Sequence, residues 1–176
     1  SLQVNHPKQP KKGKVALTQQ AKKIAARTKD YVKESRLLGS RFAKRSSKRL
    51  FQGQFIQPAK GRMSSGFGVL RTYNNGRTSS HAGVDIANKA GTRIIAPQYG
   101  RVILSKTLTI HGNTIMIDHG YGVVTVLCHL QQRLVKKGDY VKSGQVIARM
   151  GKTGVASGVH LHWGMSVQNV RVDPRY

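Results

Sequence analysis

This 176-residue chain predicts a mainly β fold, an antiparallel sandwich or barrel-like domain preceded by a basic helical segment. Three observations lead there. From about residue 54 the chain falls into short β-type runs, the texture of an all-β domain. Glycine separates those runs, with Gly91, Gly100, Gly112, Gly120, Gly138, Gly144 and Gly151 among the candidate turns. The front of the chain is different in kind: residues 1–60 carry sixteen Lys and Arg against Asp30 and Glu34, whereas residues 61–176 carry fifteen against four acids.

Residues 1–17 are polar and basic, with Pro7, Pro10 and Gly13, and read as a disordered tail. Residues 18–53 read as a basic helical segment and linker. A helix is expected over 18–38, where Thr18 can cap the N-terminus and Gly39 can take the left-handed C′ conformation. Ala21, Ile24, Ala25, Tyr31, Val32 and Leu38 form a narrow apolar stripe at near-helical spacing. A stripe on an otherwise cationic helix predicts docking on the β domain, where it would gate or orient a site. Residues 40–52 are basic again, anchored only by Phe42, Leu50 and Phe51.

The β domain spans 54–176. Its expected strands are Thr92–Ala96, Arg101–Ser105, Thr114–Asp118, Val123–Cys128, Gln145–Arg149 and His160–Val167. No repeat of 20–50 residues is visible, which excludes a solenoid.

Thirty-one Lys and Arg against six acids give a net charge of +25, which points to a polyanionic partner: nucleic acid, an anionic membrane surface or an anionic cell-wall polymer. No apolar run approaches the ~20 residues of a membrane helix. The single cysteine excludes an intrachain disulfide. The chain begins at Ser1 without an apolar leader, and the expectation is that a signal segment has been removed.

The histidines carry the chemistry. His160 and His162 are two apart in a predicted strand, so they share a face roughly 7 Å apart, while Leu161 and Trp163 turn to the core. His81 and Asp85 are four apart. A straight strand would separate them by roughly 13 Å, so a shared metal requires a bend, and Gly83 is placed to supply it. His81, Asp85 and one of His160 and His162 then make three ligands, the number that leaves zinc a fourth position open for water. A structural zinc site would want more thiolates than Cys128 alone supplies. The remaining histidines become candidates for acid–base work. His6, His111 and His119 stand outside these groupings.

These residues resemble the lysostaphin-type, LytM-like zinc metallopeptidases that cut peptidoglycan peptides. Arg62-Met-Ser-Ser-Gly-Phe-Gly68, His81-Ala-Gly-Val-Asp85, Tyr99-Gly-Arg-Val102, Ile117-Asp-His-Gly120, Cys128-His-Leu130, Gly158-Val-His-Leu-His-Trp163 and Asp173-Pro174 follow in family order over about residues 54–174. The resemblance implies that His81, Asp85 and His162 bind one Zn²⁺ per chain and that His129 and His160 are the catalytic histidines. It implies a peptidoglycan endopeptidase working by metal-activated water, outside the cytoplasm in periplasm or cell envelope. D-alanyl–diaminopimelate links are the favoured substrate over glycine bridges. The basic surface would add affinity for anionic envelope polymers. All five positions are filled, unlike in degenerate members that only regulate other hydrolases. One departure is Leu127, where many relatives carry Tyr. Cys128, adjacent to His129, is expected to point away from the site as a buried thiol.

Two rival readings fit the residues less well. A specific nucleic-acid-binding protein would leave the His–Asp constellation unexplained, and its motifs are absent. A non-enzymatic cell-wall-binding or regulatory module of the same fold would lack metal or turnover. Gly151-Lys-Thr153 is a turn and not a phosphate loop, since Val146 stands where the first glycine is required.

Overall fold

The computed structural model describes residues 12–14, 28–43, 46–72 and 78–176. Among the described residues, one helix, α1 (Thr28–Ala43), lies near the start of a mostly antiparallel β structure. Its strands are β1 (Lys12–Lys14), β2 (Arg62–Ser65), β3 (Leu70–Thr72), β4 (Thr78–Ser80), β5 (Val84–Ala87), β6 (Arg93–Ile95), β7 (Gly100–Leu108), β8 (Gly112–Asp118), β9 (Val123–Arg133), β10 (Tyr140–Val141), β11 (Val146–Met150), β12 (His160–Val167) and β13 (Val170–Val172).

The main sheet runs β10-β7-β8-β9-β12-β5-β2, with β11 joining β9 to β6, and β13 pairing with β12. A small sheet of order β1-β3-β4 stands beside it, in which β1 is parallel to β3. The six expected strands are all present: β12 has its expected bounds, β7, β8 and β9 are longer, β11 is shifted by one residue and β6 is shorter by one at each end. The short strands β2 to β5, β10 and β13 are additional, and β1 lies inside the expected tail. The rest of that tail is outside the described residues.

Period-two alternation divides the apolar residues between two faces. Ile115, Ile117 and Leu127 join Ile86, Leu161 and Trp163 in the larger core. Met116, Val124, Val126 and Cys128 point the other way, with Leu104 and Leu108. That second face is covered by α1. Leu38 and Phe42, one turn apart on the helix, are buried against it, and the Arg171 guanidinium lies 3.8 Å from the Phe42 ring centroid.

The helix differs from expectation at its end. It passes through Gly39 and stops at Ala43. Phe42 extends the buried stripe of Glu34 and Leu38, and burying a phenyl ring, at about 1.5–3 kcal/mol, outweighs glycine's helix cost of about 1 kcal/mol. Asp30 in the first turn and Arg41 in the last both suit the helix dipole. Thr18 and the rest of 18–27 are outside the described residues. No helix among the described residues is long and apolar enough to cross a membrane.

One irregularity bears on the site. Where β8 pairs with β9, Ile115 faces Leu127 but Asn113 faces Leu130, so β9 carries one extra residue. His129 sits in this bulge with φ of 62°, a left-handed conformation uncommon for a residue with a side chain.

Candidate metal centre

β12 supplies two imidazoles to one face. Leu161 and Trp163 are buried on the other, as the alternation predicts. β5 pairs antiparallel with β12 so that Asp85 is the direct cross-strand neighbour of His162, and Asp85 Oδ1 lies 3.0 Å from His162 Nδ1. The other flank of β12 is β9, where His162 faces Cys128. The next residue in β9 is His129.

His81 reaches the same point by a bend. The chain turns at Gly83 before β5 begins, and His81 Nε2 comes to 3.1 Å from Asp85 Oδ1 and 2.9 Å from His162 Nδ1. Glycine is required at the bend because a Cβ there would lie 2.4 Å from the Trp163 carbonyl oxygen and 2.9 Å from His162 Cε1. The expected bend is therefore present, and its purpose is close passage over β12.

The opposite nitrogen of His81, Nδ1, lies 2.7 Å from the Gly66 carbonyl oxygen and 3.3 Å from Ser65 Oγ. A carbonyl only accepts, so Nδ1 carries the proton and Nε2 turns a lone pair to the centre. His81, Asp85 and His162 could hold a metal ion, their ligand atoms lying within 4.8 Å of one another. Two nitrogens and a carboxylate oxygen suit zinc, whose tetrahedral Zn–N bonds of ~2.0–2.1 Å imply ligand spacings of roughly 3.3 Å. The contacts of 2.9–3.1 Å are close to that spacing. Among the described residues no thiolate joins them: Cys128 is buried on the helix-covered face, where desolvation pushes its thiol up to about 12.

Burial alone would raise the Asp85 carboxyl. The His162 and His81 imidazoles beside it overcome that and hold Asp85 well below the usual carboxylate range. Burial pushes His162 down to about 4 against the pull of Asp85.

His129 and His160 flank this trio. Their ring centroids are 4.8 Å apart, and His129 is 6.4 Å from His162. His160 Nε2 is 3.9 Å from Asp85 Oδ1. Each ring is oriented from behind: His129 Nδ1 donates to the Thr153 carbonyl at 2.8 Å, and His160 Nδ1 to the Gly158 carbonyl at 2.9 Å. Both thus keep a proton-accepting Nε2. Burial, with His160 and His162 alongside, pushes His129 down to about 3, so it is neutral at pH 7.

The five residues singled out in the sequence are brought together. His119 and His111 are elsewhere. His119 is buried, its Nδ1 donating to the Tyr99 carbonyl and its Nε2 accepting from Thr125. Leu127 is a core residue facing Ile115 and Trp163. Sequence reasoning missed Arg71, whose Nη2 bonds Asp85 Oδ2 and, at 3.1 Å, Ser65 Oγ. It also missed Thr153, whose hydroxyl donates to the Leu130 carbonyl at 2.8 Å while its own carbonyl orients His129.

The sequence profile of peptidase family M23 matches residues 79–174, which include all five residues. The peptidoglycan DD-endopeptidase ShyC of Vibrio cholerae is 38% identical over 115 residues, covering 65% of this chain and 27% of the relative. The murein hydrolase activator NlpD of Escherichia coli is 34% identical over 118 residues, 66% of this chain and 29% of the relative. A crystal structure of a zinc-containing peptidase from Vibrio cholerae superimposes with a TM-score of 0.65 at 35% identity, covering 73% of this chain and 40% of that one. The chain thus spans under a third of the length of these two curated relatives.

Proposed function

Because the chain belongs to peptidase family M23, we propose that it is a zinc metalloendopeptidase hydrolysing the peptide cross-links of bacterial peptidoglycan. His81, Asp85 and His162 would hold the metal, and His129 and His160 would move protons. The observation that carries this reading is the convergence of three ligand atoms with two imidazoles whose Nδ1 protons are committed to main-chain carbonyls.

When bound, zinc polarises a carbonyl and acidifies water. The chain's own residues do the rest. Asp85, kept ionised, supplies the negative charge of the ligand set. His81, locked by Gly66 and Ser65, presents one tautomer. His129 and His160 face the centre with free Nε2 lone pairs, ready to take a proton from the attacking water and to return it to the leaving amine. The left-handed backbone of His129 fits a functional position, where strained φ values concentrate.

D-alanyl–diaminopimelate links are the proposed substrate, supported by the DD-endopeptidase name of the Vibrio relative. Such a substrate sets the site of action outside the cytoplasm, and the +25 charge would hold the protein on anionic envelope polymers. The activator NlpD favours a second reading, a regulatory module of the same fold. The complete His–Asp–His and His–His sets support the enzyme.

The test is mass spectrometry of products after zinc-loaded protein meets purified sacculi. Cleaved dimers whose fragment masses place the cut at D-alanyl–diaminopimelate are expected. Bound zinc with no product would overturn the enzymatic reading.

A further inference from the structure

Glu34 is one of six acids in a chain with thirty-one Lys and Arg, and it is 5% exposed. It projects from α1 onto the turn between β7 and β8. Its carboxylate accepts from the backbone N–H groups of three consecutive residues: Thr109, Ile110 (3.0 and 3.1 Å) and His111 (3.2 Å). It also accepts from His111 Nδ1 at 2.8 Å. Three successive N–H groups make a concavity suited to an anion, and a helix carboxylate fills this one. Burial would raise Glu34, but the His111 and backbone bonds hold it below the ordinary carboxylate value.

The far side of the same turn holds the catalytic edge. The His111 carbonyl accepts the N–H of His129 at 2.9 Å, fixing the left-handed residue in its bulge. The Ile110 carbonyl accepts from Val155 N–H at 2.8 Å. The Asn113 N–H donates to Thr153 Oγ at 2.9 Å, and the Thr153 carbonyl accepts from His129 Nδ1. The packing leaves no slack: a Cβ on Gly112 would lie 2.3–2.4 Å from Thr153 atoms. The turn therefore fixes both the backbone of His129 and the carbonyl that aims its ring.

We propose that Glu34 is a positioning residue for His129, acting through the 109–113 turn, so that the front helix is part of the active-site scaffold. This rests on the reading of His129 as catalytic. Glu34 touches neither ligands nor substrate. Its removal leaves three part-buried N–H groups and the His111 ring without their acceptor, which frees the turn to shift.

The experiment compares the full chain carrying Glu34→Gln, His111→Ala or Leu38→Ala with the parent, using purified cross-linked muropeptide dimers. Leu38→Ala loosens the same helix from the sheet without touching the turn. Glu34→Gln, isosteric and foldable, should lower kcat at least tenfold, with KM within twofold and zinc content unchanged. His111→Ala should fall between. Leu38→Ala should keep kcat within about threefold despite a lower Tm. ¹⁵N NMR of the imidazoles supplies a readout besides turnover: the Nδ1–H signal of His129 should weaken or exchange in Glu34→Gln and persist in Leu38→Ala. Unchanged kcat in Glu34→Gln, or an equal loss in Leu38→Ala, overturns the proposal. A parent without turnover overturns the function instead, and the NMR comparison then decides the positioning role alone.

Discussion

Asp85 and His162 are direct cross-strand neighbours in the antiparallel pairing of β5 and β12, and their side chains meet at 3.0 Å. A sheet places such pairs within about 5.5 Å by backbone geometry alone, so two of the three proposed ligands are brought together by strand register. Asp85→Ala and His162→Ala should therefore drop zinc content from near one per chain to near zero, read by elemental analysis of the purified protein. His129→Ala and His160→Ala should retain zinc and lose 10²–10⁴-fold in kcat, the usual contribution of a positioned acid–base group. Loss of zinc in the second pair would contradict the division of roles.

Arg71 holds the second oxygen of Asp85 and is itself tied to Ser65. It orients a proposed ligand without being one. Replacing such a partner typically costs 10–100-fold in metal affinity. Arg71→Ala should fall in that range by competition with a chromophoric chelator, and Arg71→Lys should recover only part, because an ammonium lacks the planar fork.

Gly83 has room for no side chain. Its added Cβ would sit 2.4 Å from a main-chain oxygen of β12, which cannot move cheaply. Gly83→Ala should cost about 1–3 kcal/mol in urea unfolding. It should also weaken zinc binding, because the displaced contact includes the His162 ring.

His119 links stability to pH away from the candidate metal centre. Burial lowers its folded value from 6.5 to about 4, while the unfolded chain keeps the ordinary value. The unfolded state then binds more protons between these limits, so the stability is whole above about pH 6.5 and is lost as pH falls towards 4. The full window corresponds to about 3 kcal/mol. Urea midpoints at pH 7 and pH 4.5 should differ less in His119→Gln than in the parent.

The site was legible where chemistry follows parity. His160–Val167 is a strand as expected, and its alternation sends two imidazoles one way and Leu161 and Trp163 the other. The bend at Gly83 was legible because a shared metal on His81 and Asp85 would require one. Arg71 was not, since nothing in its neighbourhood marks it, and its contact with Asp85 depends on how β3 is set beside the main sheet. The bulge at His129 was hidden as well: one extra residue in β9 relative to β8 is a property of pairing, which one strand read alone does not reveal. Gly39 misled because local preference for a helix end yielded to the burial of Phe42.

The second apolar face limits how far the chain can be trimmed. A fragment trimmed to residues 79–174, the part that matches the family, would keep every proposed metal ligand and both flanking histidines. It would also strip the cover from Leu104, Met116, Val126 and Cys128. Such a sheet would present an oily, self-complementary surface to water. The shortest useful polypeptide is therefore longer than the shortest recognisable one, and begins upstream of α1.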